Sequence, residues 1–126
     1  MKKIMGFAIL LAAFALSFPE DKAQVPIPLT FDNYYTLDQV YDALKALNSA
    51  FPELTTLEVA GKSEEGRPLY AMTVNNPKTG APLDKPGIYV DGNVHGNEIQ
   101  GGDISLYLLD YLLGNYGKNP EITRLV

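Results

Sequence analysis

One histidine and one glutamate carry the most suggestive chemistry in this chain. His95 is its only histidine, and Glu98 stands three residues further on, inside Tyr89-Val90-Asp91-Gly92-Asn93-Val94-His95-Gly96-Asn97-Glu98. Imidazole nitrogen and carboxylate oxygen are ordinary Zn²⁺ ligands, and one helical turn brings residues i and i+3 to the same side. A catalytic zinc takes three protein groups and a water. No second histidine and no cysteine exist here to complete such a set. A lone turn histidine is more often solvated or hydrogen-bonded, and a glutamate sits well at any helix N-terminus. Context raises the metal reading above that.

The elements around the pair supply the context. Ile88-Tyr89-Val90 is a short apolar run, expected as a strand buried on both faces. Its carboxyl end is where open α/β sheets place their sites. A helix is predicted from Glu98 to about Asn115. Ile99, Ile104, Leu106, Leu108, Leu109, Leu112 and Leu113 leave it little polar face, so it is expected to be largely buried. The helix N-terminus favours an ionised carboxylate, the form a metal needs. Gly92 and Gly96 flank the histidine. Gly101 and Gly102 fall in the first helical turns, each at a cost of roughly 0.5–1 kcal/mol relative to alanine. A helix tolerates that cost where something packs closely against it. Asp91 and Asp103 are ligands by chemistry, with equally good structural explanations.

Upstream, Thr36 is a fitting N-cap with Gln39 three residues on, the pattern of a capping box. Leu37, Val40, Tyr41, Leu44 and Leu47 then follow at spacings of three and four, and Pro52 ends that helix. Thr55 to Ala60 and Pro68 to Val74 read as strands of a hairpin joined by the polar turn Gly61–Arg67. Asn75 to Pro86 reads as a loop. Asn119-Pro120-Glu121 looks like a new helix cap with proline at the first helical position. The apolar run Ile122, Leu125, Val126 carries no terminator, the pattern expected of a domain cut short at its C-terminus.

Composition narrows the class. The chain has 126 residues, 46% hydrophobic and 20% charged, as in a globular protein. A formal charge of −5 gives no electrostatic support to nucleic-acid binding. Lys2 and Lys3 precede an uncharged run from Ile4 to Ser17, a positive n-region and a short apolar h-region. A membrane span needs about 20 apolar residues, and Pro19-Glu20-Asp21 cuts this run short, so no stable membrane anchor is expected. Residues 1–17 read as a cleaved export signal ending at Ala15-Leu16-Ser17, with Ala23 as a secondary alternative. The mature protein would then be secreted or periplasmic. Residues 18–30, with Pro19, Pro26 and Pro28, read as an extended lead-in.

Two motifs fail on inspection. A phosphate loop ending at Gly61-Lys62-Ser63 needs glycine where Thr56 stands, and a nucleophile elbow on Ser63 needs glycine where Glu65 stands. Nothing in the spacing recommends a serine triad using Ser63 and His95. The eight tyrosines read as core and rim, not as a cofactor box.

Taken together, Gly92-Asn93-Val94-His95-Gly96-Asn97-Glu98 resembles the H-x-x-E zinc motif of the metallocarboxypeptidases, in particular the branch with His-Gly-Asn-Glu at the metal. Gly61-Lys62-Ser63-Glu64-Glu65-Gly66-Arg67-Pro68-Leu69 is similar to the same family's G-x-S-x-E-G-R segment. Asn115 to Leu125 also looks like its segment after the helix. The similarity runs from about Tyr34 to Val126. It implies an α/β three-layer sandwich with a mixed central sheet, of which residues 31–126 form the N-terminal portion. It further implies a zinc exopeptidase acting on peptide or protein C-termini, with His95 and Glu98 as two zinc ligands. The third ligand, a histidine, and the general-base glutamate are expected beyond residue 126, as are the groups that bind the substrate carboxylate. The 126 residues alone are therefore expected to be inactive. In some members an arginine lining the substrate cleft precedes the glutamate ligand; here that position is Asn97. The mechanism implied is metal-assisted hydrolysis with a carboxylate moving the proton. Two alternatives share the motif or the fold: a zinc amidohydrolase deacylating N-acyl amino acids, and a binding domain without the chemistry.

Overall fold

The computed structural model describes residues 29–126. The expected export signal (1–17), and all of the lead-in (18–30) except Leu29 and Thr30, lie outside the described residues.

Helix α1, Leu37–Ala50, starts where its cap signal stands. The Thr36 hydroxyl accepts from the Gln39 amide, and the Gln39 side chain accepts from the Thr36 amide at 2.8 Å, closing the capping box. These bonds satisfy two backbone donors that no helical carbonyl can reach. The chain turns through Pro52 into β1, Thr55–Lys62, which pairs antiparallel with β2, Pro68–Val74. Register runs from Thr55 opposite Val74 to Lys62 opposite Pro68, with a bulge between Val59 and Gly61. The turn between them is held by Ser63. Its carbonyl accepts from the Gly66 amide at 2.9 Å, and its hydroxyl accepts from the Arg67 amide at 3.2 Å. Gly66 has φ +79°, a left-handed conformation that costs glycine little. The G-x-S-x-E-G-R block is thus the hairpin turn, and Ser63 is occupied in building it.

Two short 3₁₀ turns, Pro77–Thr79 and Pro82–Asp84, fill the loop after β2. Helix α2, Ile99–Asn115, is followed by α3, Pro120–Leu125, which Asn119 caps through the Glu121 and Ile122 amides. The core lies between α1, the hairpin and α2. Ala43 and Leu47, one turn apart on α1, meet Leu106 and Leu113 on α2, with Leu109, Met72 and Val74 packed against them. Tyr41 donates its hydroxyl hydrogen to the Pro68 carbonyl and packs edge-on against Tyr70, with ring centroids 4.9 Å apart, tying α1 to β2.

Two expectations are corrected. Ile88-Tyr89-Val90 forms no strand, and Ile88 and Tyr89 are 88% and 86% exposed. The side chains suit a strand, but a ladder needs a neighbour's N–H and C=O groups. Among the described residues the sheet has only two strands, and these pair with each other. The architecture is α/β, as expected of the N-terminal part of the sandwich, but among the described residues the expected central strand forms no ladder. Helix α2 is also less buried than its composition suggests: Leu106 and Leu113 are buried, whereas Ile104, Tyr107, Leu108 and Tyr111 are exposed. One face meets α1, the helix also touches α3, and Tyr107 packs edge-on against Phe31 with ring centroids 5.2 Å apart. No described helix is long and apolar enough to cross a membrane.

Candidate metal centre

His95 and Glu98 occupy a tight turn leading into α2. The Glu98 amide donates to the His95 carbonyl at 2.9 Å, and the His95 amide donates to Glu98 Oε2 at 3.3 Å. The turn therefore folds the glutamate side chain back over the histidine. His95 Nδ1 lies 3.0 Å from Glu98 Oε1. Glu98 is the N-cap of α2, and its carbonyl accepts from the Gly101 amide at 2.9 Å. The expected juxtaposition of the two side chains is present, with Nδ1 as the ring nitrogen turned toward the carboxylate.

This geometry fits a shared metal. With zinc about 2.0–2.2 Å from each donor and a tetrahedral angle, two donor atoms stand about 3.3–3.4 Å apart. The pair needs to open by only a few tenths of an ångström for a cation to replace the shared proton. Both side chains are exposed, 75% for His95 and 54% for Glu98, so rotation meets little resistance. The hydrogen bond from the His95 ring, and after it the bond from the His95 amide, hold the Glu98 carboxyl below its ordinary value. The direction of that shift favours the ionised carboxylate, the form a metal ligand takes.

The remaining candidates fall elsewhere. Asp91 is exposed and Asp103 accepts from the Tyr35 amide at 3.4 Å, fastening the segment before α1 to α2. Gln100 reaches the Tyr34 hydroxyl at 3.4 Å in the same place. Among the described residues no three His, Cys, Asp or Glu side chains gather into a metal-holding group. The donor set present is two. Sequence pattern gave no sign of these Tyr34 and Tyr35 contacts, because they join residues more than sixty positions apart.

The close packing expected around the helical glycines is real, but it involves one of the two. A Cβ on Gly92 would stand 2.1 Å from the Gly101 carbonyl oxygen. A Cβ on Gly101 would stand 2.8 Å from the Asn93 amide nitrogen, whereas one on Gly102 would meet nothing within 4 Å. Asn93 itself takes φ +65°, the left-handed region that asparagine enters more readily than most residues.

The hairpin turn, the H-x-x-E pair and the α/β framework together define a class. A profile of the family described as zinc carboxypeptidase matches residues 40–126, and the chain belongs to that family. It is 40% identical over 84 residues to carboxypeptidase D of Mus musculus, an alignment covering 66% of this chain and 6% of that protein. Carboxypeptidase M of Mus musculus is 32% identical over 103 residues, covering 81% of this chain and 23% of the relative. Carboxypeptidase A1 of Bos taurus is 26% identical over 107 residues, covering 85% and 25%. The chain thus spans a quarter or less of the length of these relatives.

Proposed function

We propose that this chain is the metal-binding N-terminal part of an exported zinc carboxypeptidase that hydrolyses C-terminal peptide bonds. The observation that carries the reading is the 3.0 Å approach of His95 Nδ1 to Glu98 Oε1, within a chain that belongs to the zinc carboxypeptidase family. His95 and Glu98 would hold the ion through Nδ1 and a carboxylate oxygen. Zinc held there would supply Lewis acidity, lowering the pKa of water and polarising a scissile carbonyl. Glu98 would be committed to holding, with one carboxylate oxygen on the ion and the other accepting from the His95 amide. A separate carboxylate has to move the proton. Among the described residues no third His, Cys, Asp or Glu side chain joins the pair. On this reading the third ligand and the proton-moving carboxylate lie outside the 126 residues, which alone should bind zinc weakly and hydrolyse nothing.

The test is a zinc titration of the full chain beside His95→Ala and Glu98→Ala. Each substitution should weaken binding by at least about tenfold, the loss that even an outer-shell partner brings. Equal affinity in parent and variants overturns the ligand assignment, and zinc-dependent peptide hydrolysis by the 126 residues overturns the assignment of proton chemistry to other groups. Export through residues 1–17 predicts a mature N-terminus at Phe18, read directly by N-terminal sequencing of the processed protein.

A further inference from the structure

We propose that Gly92 and Gly101 are positioning residues for the His95–Glu98 pair: their backbones cross in contact, and that crossing seats the histidine loop on the first turn of α2. Its consequence for metal binding rests on the zinc reading above, but the pairing itself belongs to the metal-free chain.

The loop has few other anchors. From Asp91 to Gln100 every residue except Gly92 is exposed. The turn bonds between His95 and Glu98 set the shape of the turn, not where it lies. Gly92 is the place where the loop meets something rigid. A Cβ there would fall 2.1 Å from the oxygen and 2.3 Å from the carbonyl carbon of Gly101, distances that real Cβ atoms do not tolerate. In the other direction a Cβ on Gly101 would fall 2.8 Å from the Asn93 amide nitrogen and 3.2 Å from the Gly92 Cα. All of these obstacles are backbone atoms, so no side-chain rotation relieves them. A side chain at either position has to separate the loop from the helix. Glu98 is joined to the helix through the bond from the Gly101 amide to its carbonyl. His95 follows Gly92 by three residues, so separation at the crossing pulls on the imidazole more than on the carboxylate. Gly96 and Gly102 have nothing within 4 Å of a Cβ and serve as controls on the same loop and the same helical turn.

The experiment uses the full ¹⁵N-labelled 126-residue chain. Its single histidine makes the ring nitrogens unambiguous by long-range ¹H–¹⁵N correlation. Gly101→Ala and Gly92→Ala should lose the Nδ1 shift of a carboxylate-bonded imidazole. They should also raise the zinc dissociation constant by about 10–100-fold, as loss of ligand orientation does, and alter the visible spectrum of bound Co²⁺. Gly96→Ala and Gly102→Ala should keep all three. Far-UV circular dichroism and the hairpin amide shifts report whether each variant folds. If the alanine variants unfold, hydrogen exchange in the parent decides: zinc should slow exchange at the Gly101 amide, because coupling between the clamp and the crossing is reciprocal. An unchanged ring shift and affinity in folded Gly101→Ala, or unchanged Gly101 exchange on zinc binding, overturns the proposal. A parent that binds no zinc while Gly101→Ala still loses the Nδ1 shift supports the crossing and refutes the zinc reading alone.

Discussion

Leu47 is the residue on which the framework behind the site most depends. It is fully buried, on the α1 face that meets Leu106 and Leu113 of α2. The buried hydrophobic core among the described residues comprises Ala43, Leu47, Leu106, Leu113, Ile122 and Val126, so little else compensates for its loss. Leu47→Ala removes three buried carbon groups and leaves a cavity, a change that costs about 2–5 kcal/mol. A domain of about 100 residues has roughly 5–15 kcal/mol of stability in total, and a core this small places the chain toward the lower part of that range. At about 4–8 °C per kcal/mol for a domain of this size, the melting temperature should fall by roughly 8–40 °C. The assay is thermal and urea unfolding followed by circular dichroism, with Leu83→Ala as the reference. Leu83 is 99% exposed, so its truncation should stay within about 0.5 kcal/mol of the parent. If Leu47→Ala and Leu83→Ala melt within a few degrees of each other, α1 and α2 are not held together by this contact.

Three further outcomes follow from local structure. Thr36→Ala removes the capping-box acceptor of α1 and should cost about 0.5–2 kcal/mol in urea unfolding, with Thr36→Gly closer to the parent. Lys85→Met should cost about 1.5–3 kcal/mol, because the Lys85 ammonium donates to Asn75 Oδ1 at 2.7 Å and to the Asn76 carbonyl at 3.0 Å, closing the loop after β2. Burial raises the Asp110 carboxyl above its ordinary value. The folded state therefore holds that proton more tightly than the unfolded state, and the associated stability is complete below the unfolded value and lost as pH rises through the folded one. Asp110→Asn should melt higher than the parent at pH 7 and closer to it at pH 3; the reverse order would refute the burial account.

Much of the local structure was legible in the residues themselves. The α1 cap, the hairpin with its polar turn, the proline-initiated α3 and the His95–Glu98 turn all follow from short-range rules acting over three to seven residues. The two contested regions were those whose state depends on partners. Ile88-Tyr89-Val90 has the composition of a buried strand, but backbone hydrogen bonds come from neighbours, and none pairs with it among the described residues. Helix α2 has apolar residues on several faces, and among them only Leu106 and Leu113 are buried. Composition reports what a surface would bury, not whether anything arrives to bury it.

The sequence by itself determined which donors exist for a metal, one imidazole and a carboxylate three residues later, because residue identity and turn spacing are covalent facts. It also supplied the glycines that make a close approach feasible. Only the tertiary structure decided that Gly92 meets Gly101 and not Gly102, and that Asp103 serves the Tyr35 amide and not the metal pair. Those choices depend on the angle at which a loop crosses a helix. That angle is set by packing between distant segments, which no local pattern encodes.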